Sequence, residues 1–310
     1  MGGSGGGGGY IPQSSDALQR KIEKARQDEQ LRLDTDVNQF LQKKLSLFNN
    51  RDAVQTQTHL DEIVETLGDE IEIDKLLFGG SVAKHTFVDG LSDVDALVLL
   101  DRNDTRGLSA DKMLREFHNK LSTSLSRQDV KSIDKGTLAV TVSYKDGSEI
   151  QLLPALRSGK LIKIPDSSGT GWIETSPHIF QQQLSKQNER LNGALVPTIK
   201  LVKSLIYDLP KQQQLTGYHI EALALDAAKG YQGLMTPKAL LSHVLDHAVT
   251  RSRTPILDTS GQSQNVDDYL GGPNSTQRKL ASQAIAGVKR RLDAATSIAQ
   301  WRAMFGGIEK

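Results

Sequence analysis

Residues 78–101 read FGGSVAKHTFVDGLSDVDALVLLD. After its second aspartate the run 93–101, DVDALVLLD, is almost continuously apolar, which predicts a strand covered on both faces. Side chains alternate along a strand, so Asp93 and Asp95 share one face while Val94 turns to the other. Two carboxylates on one face repel, and each is costly to desolvate without a neutralising cation. Paired hard-oxygen ligands, with phosphate completing the coordination, suit Mg²⁺ or Mn²⁺. Upstream, Gly80 lets the backbone approach an anion, and the Ser81 hydroxyl with the N–H groups of a helix start can hold phosphate oxygens. Asp-x-Asp alone is usually a solvated strand end, and Gly-Gly-Ser alone a plain turn. A strand, Gly-Ser, a spacer of about a dozen residues and then Asp-x-Asp opening an apolar strand together describe a nucleoside triphosphate bridged by metal to paired carboxylates.

Around this stretch the chain divides by composition. MGGSGGGGGY opens it, and glycine loses the most backbone entropy on folding, so residues 1–14 are expected to form a flexible Gly-rich tail. Amphipathic helices are predicted from Ser15 to about Leu47 and over 52–67, followed by a strand over 71–78. Beyond the quoted stretch come a helix over 109–126 and the runs TLAVTVSY (137–144) and EIQLLPAL (149–156). Lys145-Asp146-Gly147 between those runs predicts a hairpin. The polar DSSGTGW (166–172) then leads to helical segments near 177–191, 195–208, 217–232, 236–249 and 276–299. The expectation is an α+β chain: residues 15–165 form a mixed sheet flanked by helices, with the N-terminal helices, and 166–310 form a mostly helical lobe.

The bulk composition excludes several classes. The chain has 310 residues, enough for a sizeable core, with 24% charged and 37% apolar residues and a net charge of +1. That balance does not suit a nucleic-acid coat or a membrane-surface protein. Cysteine is absent, which removes disulfides, thiol nucleophiles and thiolate metal sites. No apolar run approaches the roughly 20 residues needed to span a bilayer, and no signal pattern opens the chain, so a cytoplasmic protein is expected.

The Gly-Ser and Asp-x-Asp pattern resembles the DNA polymerase β-like nucleotidyltransferase superfamily. IQLLPAL, IPDSSGTGWIETSPHIF, LVPTIKLVKSL, GYHIEALALDAA and DTSGQSQNVDDYLGG, between Ile150 and Gly272, resemble the bacterial cGAS/DncV-like nucleotidyltransferases (CD-NTases). Those enzymes make cyclic oligonucleotide signals in anti-phage (CBASS) defence. The resemblance covers about residues 15–305, and even the glycine-rich opening resembles some members' natural N-termini. It implies a polymerase β-like core, an active site between the two halves, and two Mg²⁺ ions, with Mn²⁺ as a substitute. The implied reaction is attack of a ribose hydroxyl on an α-phosphate, releasing pyrophosphate. Asp93 and Asp95 match the metal aspartates, and Gly80 and Ser81 the phosphate-holding pair. Nucleoside triphosphates, ATP foremost, are the implied substrates. A separate effector would read the cyclic di- or trinucleotide product, with no membrane or nucleic-acid partner.

One departure stands out. The superfamily supplies a third carboxylate three residues before the proline of the LLPA segment, and here that position is Gln151. Its amide oxygen can ligate a hard cation but cannot take a proton. Glu149 lies two residues earlier on the same strand face. Three readings stay open: Glu149 substitutes, Gln151 serves beside two carboxylates, or the chain binds nucleotide without synthesis. A further rival is transfer of a nucleotide to tRNA, RNA or a small molecule.

Other residues carry weaker signals. Lys200 and Lys203 share one helical side, where family members hold the triphosphate; a solvated helix face is the plain alternative. Tyr218 could stack on a base or pack in the core. His219 is expected to be a hydrogen-bonded structural histidine. His243 and His247, at i and i+4 without a third ligand, are expected on a helix face. Trp172 is expected to anchor the loop joining the halves, Asp267 and Asp268 to serve a helix start or a turn, and the 289–291 stretch, KRR, to form a solvated basic face.

Overall fold

The computed structural model describes residues 15–48, 53–68, 73–78, 84, 86, 94–100, 109–125, 128–158, 161–166, 168, 171–261 and 263–306. The Gly-rich opening and the predicted site residues Gly80, Ser81 and Asp93 lie outside them, and Asp95 enters as a backbone position in a strand.

The quoted stretch does build the centre of a sheet. Strand β1 (Ile73–Phe78) runs antiparallel to β2 (Val94–Leu100), and β2 runs parallel to β5 (Glu149–Ser158). On the far side of β5 lie β4 (Val140–Tyr144) and then β3 (Val130–Lys135), both pairings antiparallel. β6 (Leu161–Pro165) folds back on the end of β5, and β7 (Trp172–Thr175) pairs with β6. The β4–β5 hairpin turns at Gly147, whose φ of 88° is one that a side-chain-bearing residue rarely adopts. There the Asp146 carboxylate accepts hydrogen bonds from the Ser148 N–H and hydroxyl at 2.8 and 2.7 Å.

Both faces of β2 are covered, as its apolar run demands. Ala96, Val98 and Leu100 join one cluster with helix α2 (Ala53–Gly68) and helix α3 (Ala110–Ser124), through Leu60, Ile63, Met113 and Phe117. The Ser109 side chain caps α3 by accepting from the Lys112 N–H at 3.4 Å. Leu97 and Leu99 face a second cluster with Ala155 and Ile164.

The third and largest cluster is helical. It joins α4 (Pro177–Arg190), α5 (Leu195–Tyr207), α6 (Gly217–Ala228), α7 (Pro237–Arg251), α8 (Thr276–Asp293) and α9 (Ile298–Met304). Helix α6 is buried nearly all round, so each polar side chain on it must find a partner inside the protein.

Three expectations change here. Helix α1 (Ser15–Leu47), grouped by chain position with the α/β half, contributes Val37, Phe40 and Leu41 to the helical cluster. Its Asn38 side chain accepts from the Lys238 N–H at 2.9 Å, and Phe40 meets Phe305 edge-on at 6.0 Å. The sheet also continues past residue 165 into β7, so Trp172 is a strand residue in register with Pro165 rather than part of a joining loop. Finally, the single helix expected over 276–299 is two, because Ser297 and Gln300 form a capping box that starts α9 afresh.

Candidate active site

Parallel pairing of β2 with β5 decides what stands beside the second aspartate. Val94 is in register with Ile150, and Asp95 with Gln151. Gln151 in turn pairs with Thr141 of β4. Alternation puts positions 95 and 151 on the face that carries Leu97, Leu99 and Ala155 farther along the strands. Gln151 closes the row Gln151, Leu153, Ala155 on β5, and Asp95 is its backbone register partner on β2.

Gln151, expected at the third-acid position by resemblance, is the register partner of Asp95. Glu149 stands one pleat farther out, exposed, in register with Ser143, whose hydroxyl donates to its carboxylate at 2.9 Å. As residue types, Asp95 and Gln151, and Asp93 two residues before Asp95 in the sequence, are hard oxygen donors that fit Mg²⁺ or Mn²⁺ chemically. Among the described residues no group of three or more His, Asp or Glu side chains gathers to hold a metal, and Asp93 is not among those residues.

The segment between β1 and β2 reaches the helical lobe through Lys84 and Thr86. Glu221 of α6, 1% exposed, forms an ion pair with Lys84 and a second with Lys203 of α5 at 2.8 Å. The Thr86 hydroxyl donates to the same carboxylate, while the Lys203 ammonium also donates to the Thr86 carbonyl at 3.1 Å. Burial alone would raise the Glu221 carboxyl, but the ammonium groups of Lys84 and Lys203 outweigh it and hold it below its ordinary value. The Lys84 ammonium also lies over the rings of Tyr218 and Phe180, at 4.9 and 5.2 Å.

The remaining predicted residues fall as follows. Lys203 is buried at 1% exposure and engaged by Glu221, not on a solvated helix face. Lys200, one turn earlier, is half-buried; burial pulls its ammonium below the ordinary lysine value, and the charge of Lys203 adds to this. The ring of Tyr218 packs against Phe180 edge-on at 4.8 Å and beneath Lys84, and its hydroxyl donates to Asp258 at 2.7 Å; it is bound into the lobe through these contacts, with burial raising its pKa.

His219 is the structural histidine expected: it is fully buried, with Nδ1 2.9 Å from the Tyr269 hydroxyl. His243 bonds the Ala227 carbonyl and His247 the Asp226 carboxylate, at 2.9 and 3.0 Å. Asp268 serves its turn by accepting from the Asn265 N–H at 3.1 Å. Asp267 stands at the start of a short helical turn, as expected, and does more, because its buried carboxylate accepts from Arg278 at 2.6 Å and from the Ile256 N–H at 3.0 Å. In the KRR stretch Arg290 and Arg291 are exposed, whereas Lys289 pairs with Asp293 and Asp246.

Sequence reasoning missed Glu221, Lys84 and Thr86. A glutamate inside the apolar GYHIEALAL was the available signal, since a buried acid demands a cation. A cavity of about 580 Å³ between α1, α7 and the α8–α9 turn, lined among others by Arg26, Lys238, Asp293 and Trp301, holds none of the predicted site residues.

Residues 32–188, from within α1 to the end of α4, match the Second Messenger Oligonucleotide or Dinucleotide Synthetase (SMODS) domain. The chain belongs to the SMODS family. It is therefore a nucleotidyltransferase of the cyclic-oligonucleotide-producing kind, with the polymerase β-like CD-NTase fold. Solved structures agree with the SMODS fold. The Bradyrhizobium diazoefficiens CD-NTase CdnG in complex with GTP superposes with a TM-score of 0.67 at 14% identity, covering 87% of this chain and 95% of that one. E. coli MS115-1 CdnC with ATP gives 0.60 at 18% identity, covering 86% and 93%. The Vibrio cholerae DncV cyclic AMP-GMP synthase gives 0.62 at 9% identity, covering 96% and 92%. Among curated protein sequences none matches. Among the described residues no helix is long and apolar enough to cross a membrane.

Proposed function

We propose that this SMODS protein joins nucleoside triphosphates, ATP among them, into a cyclic di- or trinucleotide second messenger that serves anti-phage defence through a separate effector. The observation that carries the reading is the register of Asp95 with Gln151 at the mouth of the parallel β2–β5 pair, in a chain whose family makes oligonucleotide messengers.

In each transfer a ribose hydroxyl oxygen bonds to the α-phosphorus of a second nucleotide as the bond to the departing pyrophosphate breaks, and the hydroxyl proton leaves. Repeating the step within a linear intermediate closes the ring. Asp93 and Asp95, with the amide oxygen of Gln151, would hold the divalent cation; when bound, it acidifies the hydroxyl and offsets charge on the leaving phosphates. Gln151 cannot accept the proton, so a carboxylate of Asp93, Asp95 or Glu149 would take it as the base. Gly80 and Ser81 hold the phosphates, and Lys200 contributes a compact cation to the triphosphate.

The test is incubation with the four ribonucleoside triphosphates and Mg²⁺, without any acceptor, followed by mass analysis. A product of cyclic mass with stoichiometric pyrophosphate is expected. Transfer that requires added RNA or a small-molecule acceptor would displace this reading in favour of nucleotide transfer to that acceptor.

A further inference from the structure

Two features at one end of the helical lobe serve no part of the chemistry above. The first is the opening half of α1. From Asp16 to Arg32 every side chain except Ala17 is exposed, about 25 Å of helix that the lobe does not cover. Leu18, Ile22, Ala25, Glu29 and Leu33 follow one another at intervals of three or four residues and so share one stripe of the helix. At Leu33 that stripe packs on the helical cluster. Towards the N-terminus it is bare, with Leu18 and Ile22 53% and 46% exposed. Helices in proteins owe most of their stability to the packing of such a stripe, so the bare end lacks the contact that ordinarily sustains it.

The second feature is the cavity of about 580 Å³ between α1, α7 and the α8–α9 turn. Leu33, Leu292 and Trp301 give it apolar walls, and Glu29 and Asp293 are acids in its lining. The charges of α1 are segregated along the same stretch. Residues 20–26 hold Arg20, Lys21, Lys24 and Arg26 against Glu23 alone, whereas 28–36 hold Asp28, Glu29, Asp34 and Asp36 against Arg32 alone.

We propose that this face is where two copies of the chain meet: their α1 helices run antiparallel, and Leu18 and Ile22 of each enter the cavity of the other. A twofold axis between positions 25 and 26 sets 18–22 of one copy against 29–33 of the second, which is the α1 side of the cavity. The same placement brings the basic segment of each helix alongside the acids Asp28, Glu29 and Asp293 of the other copy. Parallel pairing would set like charges together, which selects against it. The contact is a few turns of helix from each copy, below the size of permanent dimers, so the dimer is weak and concentration-dependent.

Sedimentation equilibrium of the full chain, from about 1 μM to about 1 mM, tests this. The average mass is expected to rise from that of one chain toward that of two, and to rise less in about 1 M salt, which screens the charges. Ile22→Glu, at an exposed position, should raise the dissociation constant at least about tenfold with the unfolding midpoint unchanged. Thr296→Trp, also exposed and bulky enough to fill part of the cavity, should do the same from the receiving side. Leu161→Glu, at an exposed apolar position on β6, should leave association as it was. A chain that stays monomeric throughout overturns the proposal. So does association that survives Ile22→Glu or Thr296→Trp, because the contact then lies elsewhere, and so does equal loss in Leu161→Glu, which marks unspecific adhesion.

Discussion

Asp95 and Gln151 are register partners across the parallel β2–β5 pair, so an aspartate and an amide residue occupy neighbouring strand positions. The amide keeps an oxygen donor there while removing a negative charge. Glu149, the other candidate, is one pleat away and exposed, with Ser143 donating to it.

From this arrangement Gln151→Leu is expected to lower turnover by about a hundredfold, the scale seen when a group acting on the transition state is removed. Gln151→Asp should retain turnover, and Glu149→Gln should cost far less than Gln151→Leu. Pyrophosphate release at saturating nucleotide measures all three; a larger loss in Glu149→Gln than in Gln151→Leu would move the third ligand to Glu149.

Lys200 gives a pH dependence. Burial and the neighbouring Lys203 charge lower its pKa, so its ammonium form is lost at a lower pH than that of a free lysine. In the proposed role the charged form would attract the triphosphate, so affinity should fall as pH rises through that lowered value and recover as pH is brought back down. Titrating the Kd of a non-hydrolysable ATP analogue should show this weakening on the alkaline side, and Lys200→Arg, charged throughout, should abolish it.

The first halves of these arguments were legible in the sequence. An apolar run behind Asp95 announced a strand buried on both faces, and the two clusters on either side of β2 bear that out. Asp-Gly between alternating runs located the β4–β5 hairpin. What could not be read were elements lacking internal periodicity. VKSIDK becomes strand β3 because β4 offers it partners, with little burial of its own. LIKIP and WIET are short strands that extend the sheet beyond β5. The capping box at Ser297 was readable as S-x-x-Q, yet continuing apolar residues disguised it within one long helix. Side-chain partnerships across the fold were the least accessible part: Thr86 and Glu221 are 135 residues apart in the chain and bonded in space.

Asp267 and Arg278 form the other buried pair that spacing did not announce, and both are fully buried. The guanidinium also donates to the Gly271 and Ser252 carbonyls, at 2.8 and 3.2 Å. Asp267→Ala strands that charge and is expected to cost about 3–5 kcal/mol in urea unfolding. Asp267→Leu combined with Arg278→Met should recover part of the loss, because no charge is then stranded, while the Ile256 N–H and the Gly271 and Ser252 carbonyls lose their side-chain partners.

The most direct test of the central claim, that the row opening β2 and β5 is the seat of nucleotidyl transfer, is pyrophosphate release from ribonucleoside triphosphates with Mg²⁺ by the unaltered chain and by Asp95→Asn. Release by the former and its loss by at least about a thousandfold in the latter, with the fold and unfolding midpoint retained, is the result predicted. Equal release by both proteins would contradict it.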